Sequence, residues 1–201
     1  MLEGKYDADI FVDGSYDNNT KKYSYGMVVE DKNGVHAFRR AFQDEKSSMR
    51  NAAGEIAGAT AAINYARDNG YKNIKLSYDY EGIGAWCRGD WKAKNPVTMA
   101  YKQLYNDALD KGLTIDFNYV PAHTGVERNE ICDALAKSAL GIKDTKTRQD
   151  KFKVYLDEAK PYISKDEMQL KKQRFSAVMA DSTMTVSNRK GRDSNECSEY
   201  Q

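Results

Sequence analysis

Cysteine, proline and histidine are all scarce in this chain: three, three and two among 201 residues. Cys87, Cys132 and Cys197 are odd in number and far apart, which fits neither a disulfide framework nor a zinc site. No apolar run approaches the roughly 18 residues that a membrane-spanning helix needs. The opening residues, Met1-Leu-Glu-Gly-Lys-Tyr-Asp7, have neither the basic nor the apolar part of a secretory signal. A reducing cytoplasm is the expected compartment. Charge of one sign is missing too. Residues 1–141 hold 18 Lys and Arg against 20 Asp and Glu, and residues 142–201 hold 13 against 10, for a net of +1. That balance excludes a strongly basic domain that binds nucleic acid mainly through counterion release. What remains is 40% hydrophobic and 30% charged, enough for one cored domain with an appendage.

The pattern of apolar residues changes period along the chain. Over about 7–14, Ala8, Ile10 and Val12 alternate with Asp9, Phe11 and Asp13, as in a strand. A turn at Asp17-Asn-Asn-Thr20 leads to a second strand at about 23–30, and Asn33-Gly34 is a hairpin signal before a third near 35–42. From about 52 to 69 the residues are helix formers, with Asn69-Gly70 as the stop. Glu55, Ala59, Ala62 and Ala66 share one face there, a carboxylate at the head of a small-residue stripe. A short strand (74–78), a brief helix (about 81–88), a longer helix (about 97–111), a fifth strand (113–120) and a last helix (about 127–140) complete the unit. The order β-β-β-α-β-α-α-β-α predicts a mixed five-stranded sheet flanked by helices, three strands antiparallel and then two parallel. Right-handed crossovers put the fourth and fifth strands parallel to the first.

Four acidic residues stand out against that frame: Asp13 in Ile10-Phe-Val-Asp-Gly-Ser15, Glu55 in Arg50-Asn-Ala-Ala-Gly-Glu55, Asp79 in Leu76-Ser-Tyr-Asp79, and Asp133 in Asn129-Glu-Ile-Cys-Asp133. Asp13 and Asp79 fall at the carboxyl ends of neighbouring parallel strands, where open sheets bind ligands. Glu55 and Asp133 arrive from covering helices. Carboxylates gathered without basic partners repel one another unless a cation neutralises them. An all-oxygen donor set selects Mg²⁺, with Mn²⁺ as a substitute, over zinc. Two such ions about 4 Å apart suit phosphodiester cleavage.

With His123 in Val120-Pro-Ala-His-Thr-Gly125, these motifs resemble the type 1 ribonuclease H family over about residues 7–140, in order and with all four acidic positions filled. The resemblance implies a ribonuclease H-like fold and endonucleolytic hydrolysis of the RNA strand of RNA–DNA hybrids by two metal ions, leaving 5′-phosphates. It assigns Asp13, Glu55, Asp79 and Asp133 as metal ligands and His123 to proton transfer or product departure. Asn51, Gly14, Ser15 and Asn19 become candidate contacts to the nucleic acid. The family's long basic insertion is replaced by Trp86-Cys-Arg-Gly-Asp-Trp-Lys-Ala-Lys-Asn-Pro96, where Trp86 and Trp91 could stack on sugars and Arg88, Lys92 and Lys94 could bind phosphates. The competing reading is a catalytically inactive nucleic-acid-binding module, or another nuclease of the same superfamily. His36, in a strand without acidic neighbours in sequence, reads as structural.

The expected division is a catalytic domain over 1–141, a helical C-terminal extension over 142–181 and a disordered tail over 182–201. In the extension, Phe152, Tyr155, Leu156 and Ala159 form an apolar stripe, and Ser164-x-x-Glu167 is a capping box opening a helix with Phe175, Val178 and Met179 on one side. The chain is expected to act as a monomer on a hybrid substrate, with no membrane contact. Lys171-Lys-Gln-Arg174 makes nucleic acid or a protein the candidate partner of the extension.

Overall fold

A computed structural model describes residues 5–122, 124–174 and 176. Five strands form one sheet: β1 (Ala8–Asp17), β2 (Lys22–Asp31), β3 (Gly34–Phe42), β4 (Asn73–Tyr78) and β5 (Thr114–Tyr119). They lie in the order β3-β2-β1-β4-β5. The β1–β2 and β2–β3 pairs are antiparallel, and β1–β4 and β4–β5 are parallel. The expected sheet is therefore the observed one. Helices α1 (Asn51–Asp68), α2 (Gly82–Arg88), α3 (Pro96–Asp110), α4 (Glu127–Ala139), α5 (Lys146–Lys151) and α6 (Lys153–Glu158) surround it. A 3₁₀ turn, Glu45–Met49, that the sequence pattern did not reveal leads into α1.

Local chemistry sets the helix ends. Asn95 accepts from the Thr98 N–H and Thr98 Oγ1 accepts from the Asn95 N–H, with Pro96 as the first residue of α3. This arrangement satisfies donors that a helix start otherwise leaves open. Gly70 follows α1 with φ of +71°, the left-handed conformation that closes helices. The short α2 starts at Glu81 as its N-cap, without a side-chain cap bond.

Each sheet face has its own core. Alternation along β1 sends Ala8, Ile10 and Val12 into a cluster with α1, α2 and α3. Phe11 points the other way, into a cluster with Val28, Ile131, Cys132, Ala134 and Leu135. The Glu55 face of α1 is buried as its small residues predict, Ala59, Ala62 and Ala66 having no exposed surface.

Two compact units result, Met1–Tyr162 and Ile163–Gln201. The first takes in residues 142–162, which the sequence places in the C-terminal extension. Phe152, 1% exposed, completes the second core, with Tyr155, Leu156 and Ala159 packed against it. Lys160 then bridges to Phe38 and so covers the outer edge of β3. In the second unit residues 165–174 are helical. The Glu167 N–H donates to Ser164 Oγ at 3.2 Å, as the capping motif predicts. Phe175, Val178, Met179 and the tail from 182 lie outside the described residues.

Candidate active site

The sheet register brings the first two acids together. Phe11 lies opposite Ser77 across the parallel β1–β4 pair. Asp13 and Asp79, each two residues further along, therefore reach the same level on adjacent strands. Glu55 comes from α1, whose first turn meets β1 backbone to backbone at Gly14 and Gly54. A Cβ at Gly14 would stand 2.4 Å from the Glu55 nitrogen, and one at Gly54 would stand 2.4 Å from the Ser24 carbonyl oxygen. Only glycine permits backbones this close. The Gly14 N–H, freed to approach, donates to Glu55 Oε1 at 2.9 Å.

Asp13, Glu55 and Asp79 each offer an oxygen within 4.8 Å of the others. Asp13 and Glu55 are 7% and 5% exposed, and Glu55 Oε2 is buried with no hydrogen-bond partner among the described residues. An unpaired buried carboxylate oxygen is costly. Burial, and then the charges of Glu55, Asp79 and Asp133, hold Asp13 well above the usual carboxylate range. Burial and then Asp79 push Glu55 up to about 8, against the pull of the Gly14 N–H and Asp13. These are the electrostatics of oxygens that fit a hard divalent cation.

Asp133 is held differently. It lies on α4, which crosses β2 so closely that a Cβ at Gly26 would meet the Cys132 carbonyl oxygen at 2.1 Å. Its charge reaches Asp13 and Glu55. Its Oδ2 accepts from Lys137 Nζ and Arg148 Nη1, both at 2.8 Å. One turn earlier on the same helix, buried Asn129 donates from Nδ2 to Asp79 Oδ2 at 3.2 Å. Asn129, Lys137 and Arg148 were not singled out from the sequence. Asn129 and Lys137 flank Asp133 at four-residue spacing, a signal that was available. Arg148 carried no such signal.

The remaining candidates are spread around this pocket. Asn51 is exposed at the first residue of α1, and Gly14 and Ser15 are half-buried on β1. Arg50, just before α1, has φ of +54°, an uncommon conformation for a residue with a side chain. Asn19 lies beyond the end of β1 in an exposed turn, its N–H donating to Asp17 Oδ1. Trp86 is 8% exposed, so its ring is a core element and not an open stacking surface. It forms an aromatic trio with Tyr80, the residue after Asp79, and with Trp91, which is 40% exposed. Lys92 and Lys94 are exposed, and Arg88 pairs with Asp90 at 2.9 Å. His123 lies outside the described residues. His36, read as structural, has an acidic neighbour in space: Nε2 is 3.5 Å from Asp31 Oδ1 across the β2–β3 hairpin.

A mixed sheet with a carboxylate cluster at the carboxyl ends of two parallel strands defines an α/β fold whose acidic site can hold a divalent cation. The family model for RNase H matches residues 5–141. A ribonuclease H from Shewanella woodyi (strain ATCC 51908 / MS32) is 32% identical over 146 residues, covering 68% of this chain and 87% of that protein. One from Aliivibrio salmonicida (strain LFI1238) is 31% identical over 142 residues, covering 66% and 87%. The chain belongs to the ribonuclease H family and is a ribonuclease H-type enzyme. Its fold is shared with RNase H1 from the halophilic archaeon Halobacterium salinarum NRC-1, at a TM-score of 0.55 and 24% identity over 68% of this chain and 98% of that one. It is shared also with LC11-RNase H1, solved in complex with RNA/DNA hybrid, at a TM-score of 0.53 and 16% identity over 66% and 99%. Among the described residues, no helix is long and apolar enough to cross a membrane.

Proposed function

We propose that this chain hydrolyses the RNA strand of RNA–DNA hybrids internally, with two divalent cations held by Asp13, Glu55, Asp79 and Asp133. The observation that carries this reading is the buried trio of carboxylates within 4.8 Å, with Glu55 Oε2 lacking a protein partner. Mg²⁺ is the cation proposed, with Mn²⁺ as a substitute. When bound, such ions supply an activated water and neutralise charge at the leaving oxygen.

The protein's own part is positioning. The Gly14 N–H fixes one oxygen of Glu55, and Asn129 fixes one oxygen of Asp79. Both carboxylates are thereby oriented before any ligand arrives, which lowers the cost of binding. Asn51 and the backbone at Gly14 and Ser15 border Glu55, placed to meet 2′-hydroxyls beside the scissile phosphate, the feature that separates an RNA strand from DNA. Asn19 takes a phosphate further along. Trp91, braced by Tyr80 and Trp86, offers a ring to the DNA strand, with Lys92 and Lys94 for its phosphates. His123 moves the proton at the leaving group or assists product departure. Cleavage leaves a 3′-hydroxyl and a 5′-phosphate. The residues assigned to cation, proton and nucleic-acid contacts all lie within 1–141, and the chain acts as a cytoplasmic monomer.

The test is a labelled RNA–DNA hybrid, with duplex RNA and duplex DNA as controls, in Mg²⁺ and then EDTA. Loss of only the hybrid's RNA strand, and only with the cation, is expected. The D13N variant should bind hybrid yet cut it on the order of a thousandfold more slowly or worse, since charge stabilisation in the transition state is removed. Binding without cleavage by the unsubstituted protein in either Mg²⁺ or Mn²⁺ would leave a hybrid-binding module in place of a nuclease.

A further inference from the structure

Arg148 comes from α5, beyond the residues matched by the family model, yet it ends on the fourth acid of the site. Its Nη1 donates to Asp133 Oδ2 at 2.8 Å and lies 3.0 Å from Asp144 Oδ2, while its Nη2 donates to the Glu130 carbonyl at 2.9 Å. The guanidinium also lies 5.8 Å from the ring of Phe152, which is 1% exposed. Thr145 caps α5 by accepting from the Arg148 N–H. The side chain is therefore held by α4, by Asp144 just before its own helix and by the second core at once. A planar guanidinium can hold a carboxylate and a carbonyl together in this way, which a lysine ammonium cannot reproduce.

We infer that Arg148 is a positioning residue for Asp133, through which the segment after the family domain sets the orientation and charge of the fourth cation ligand. Asp13, Glu55 and Asp79 meet in the buried cluster. Asp133 instead has one oxygen, Oδ2, committed to two cationic side chains, Lys137 and Arg148. That commitment restricts how Asp133 faces the cluster and offsets its charge there. Residues 142–162 thus do more than close the second core: they reach the cation site. Lys137 alone, four residues along the same helix, would leave the carboxylate a wider range of orientations, because its ammonium is a point charge on a flexible stem.

This inference rests on the cation-site reading above, and one experiment separates the two. Mn²⁺ is titrated into the full chain without nucleic acid and followed by calorimetry, for the unsubstituted protein and for R148Q, R148K, D133N and D133N/R148Q. R148Q should shift the Mn²⁺ dissociation constant by about fivefold or more, R148K should lie between it and the unsubstituted protein, and D133N and D133N/R148Q should coincide. An R148Q that melts lower but binds Mn²⁺ unchanged would reduce Arg148 to a structural staple. A shift of the same size in the D133N background would show that Arg148 does not act through Asp133. R148K covers the case in which R148Q fails to fold, and its binding indistinguishable from the unsubstituted protein would then overturn the inference. No Mn²⁺ binding by the unsubstituted protein would instead remove the cation site, and with it the role assigned to Arg148.

Discussion

On the sheet face covered by α1, α2 and α3, one buried apolar cluster runs from Ala8 to Ile115 and includes Ile63, Leu76 and Tyr101. The α4 face holds a smaller cluster of seven buried residues, one of them Phe152 from beyond the family match. The acids follow the same division. Glu55, on the larger face, is buried with one oxygen lacking a partner among the described residues, whereas Asp133, on the smaller, is held by Lys137 and Arg148. Burying a carboxylate without a counter-charge costs several kcal/mol. An extensive core can offset that cost, and it can also stop the helix from moving away to relieve it. The smaller face places its acid with cations instead, and depends on a segment outside the family domain to supply one of them.

Phe152→Ala is the strongest way to break this comparison. Deleting a fully buried aromatic ring costs about 3–5 kcal/mol, which for a unit of this size is a fall in melting temperature of roughly 10 °C. Thermal unfolding followed by circular dichroism measures it. A fall of only one or two degrees would mean that the second face is a covering and not a core.

Glycine substitutions sharpen the difference between the two helices. Gly54→Ala drives a methyl group into the Ser24 carbonyl, and Gly26→Ala drives one into the Cys132 carbonyl. Each should destabilise by about 1–3 kcal/mol, the usual cost of overpacking. Gly54→Ala should weaken Mn²⁺ binding more, because the displaced backbone is the one that carries Glu55. Equal effects on Mn²⁺ would show that the two faces hold their acids equally rigidly.

Asn129→Ala removes the bond to Asp79 from α4 and should lower turnover by about tenfold or more, as loss of a group that orients a ligand does. Steady-state cleavage of a hybrid would show a lower kcat with little change in KM. Unchanged kcat would leave Asn129 a purely structural side chain.

The remaining effect concerns pH. Glu55 is raised from 4.5 to about 8, and Asp13 is raised as well, both by burial first and neighbouring acids next. Both groups bind protons more tightly folded than unfolded, so the stability linked to them is complete below the unfolded values and is lost as pH rises toward 8. In EDTA the melting temperature should therefore fall between about pH 5 and 8, and E55Q should flatten that slope. Asp7 works in the opposite sense, held below its usual value by the N–H groups of Asn73 and Lys72, but its window lies at more acid pH. Added Mn²⁺ should restore stability most at the alkaline end. A melting temperature independent of pH in EDTA would contradict the assigned burial of the two acids.

Much of this was legible before any coordinates. Alternation in β1 placed Ile10 and Val12 apart from Phe11, and each went to the core that the pattern implied. The small-residue face of α1 was legible as a buried one, and Ala59, Ala62 and Ala66 are buried. The backbone-close contact with β1, however, is made by Gly54, which does not belong to that stripe. Some residues misled for physical reasons. Trp86 and Trp91 look alike in sequence, but Trp86 lies on α2 and is buried in the first core, whereas Trp91 follows the helix and is 40% exposed. His36 and Asp31 are five residues apart along the chain and meet only because the hairpin folds them together.

The sequence by itself determined the element order, the topology of the sheet and the four acidic positions, because hydrophobic period, turn residues and crossover handedness are local or nearly local rules. The tertiary structure decided how those acids differ. Lys137 reaches Asp133 from the next turn of the same helix, but the second cation on Asp133, Arg148, and the N–H on Glu55, from Gly14, come from 15 and 41 residues away. Burial and charge fall off with distance in space and take no account of separation along the chain.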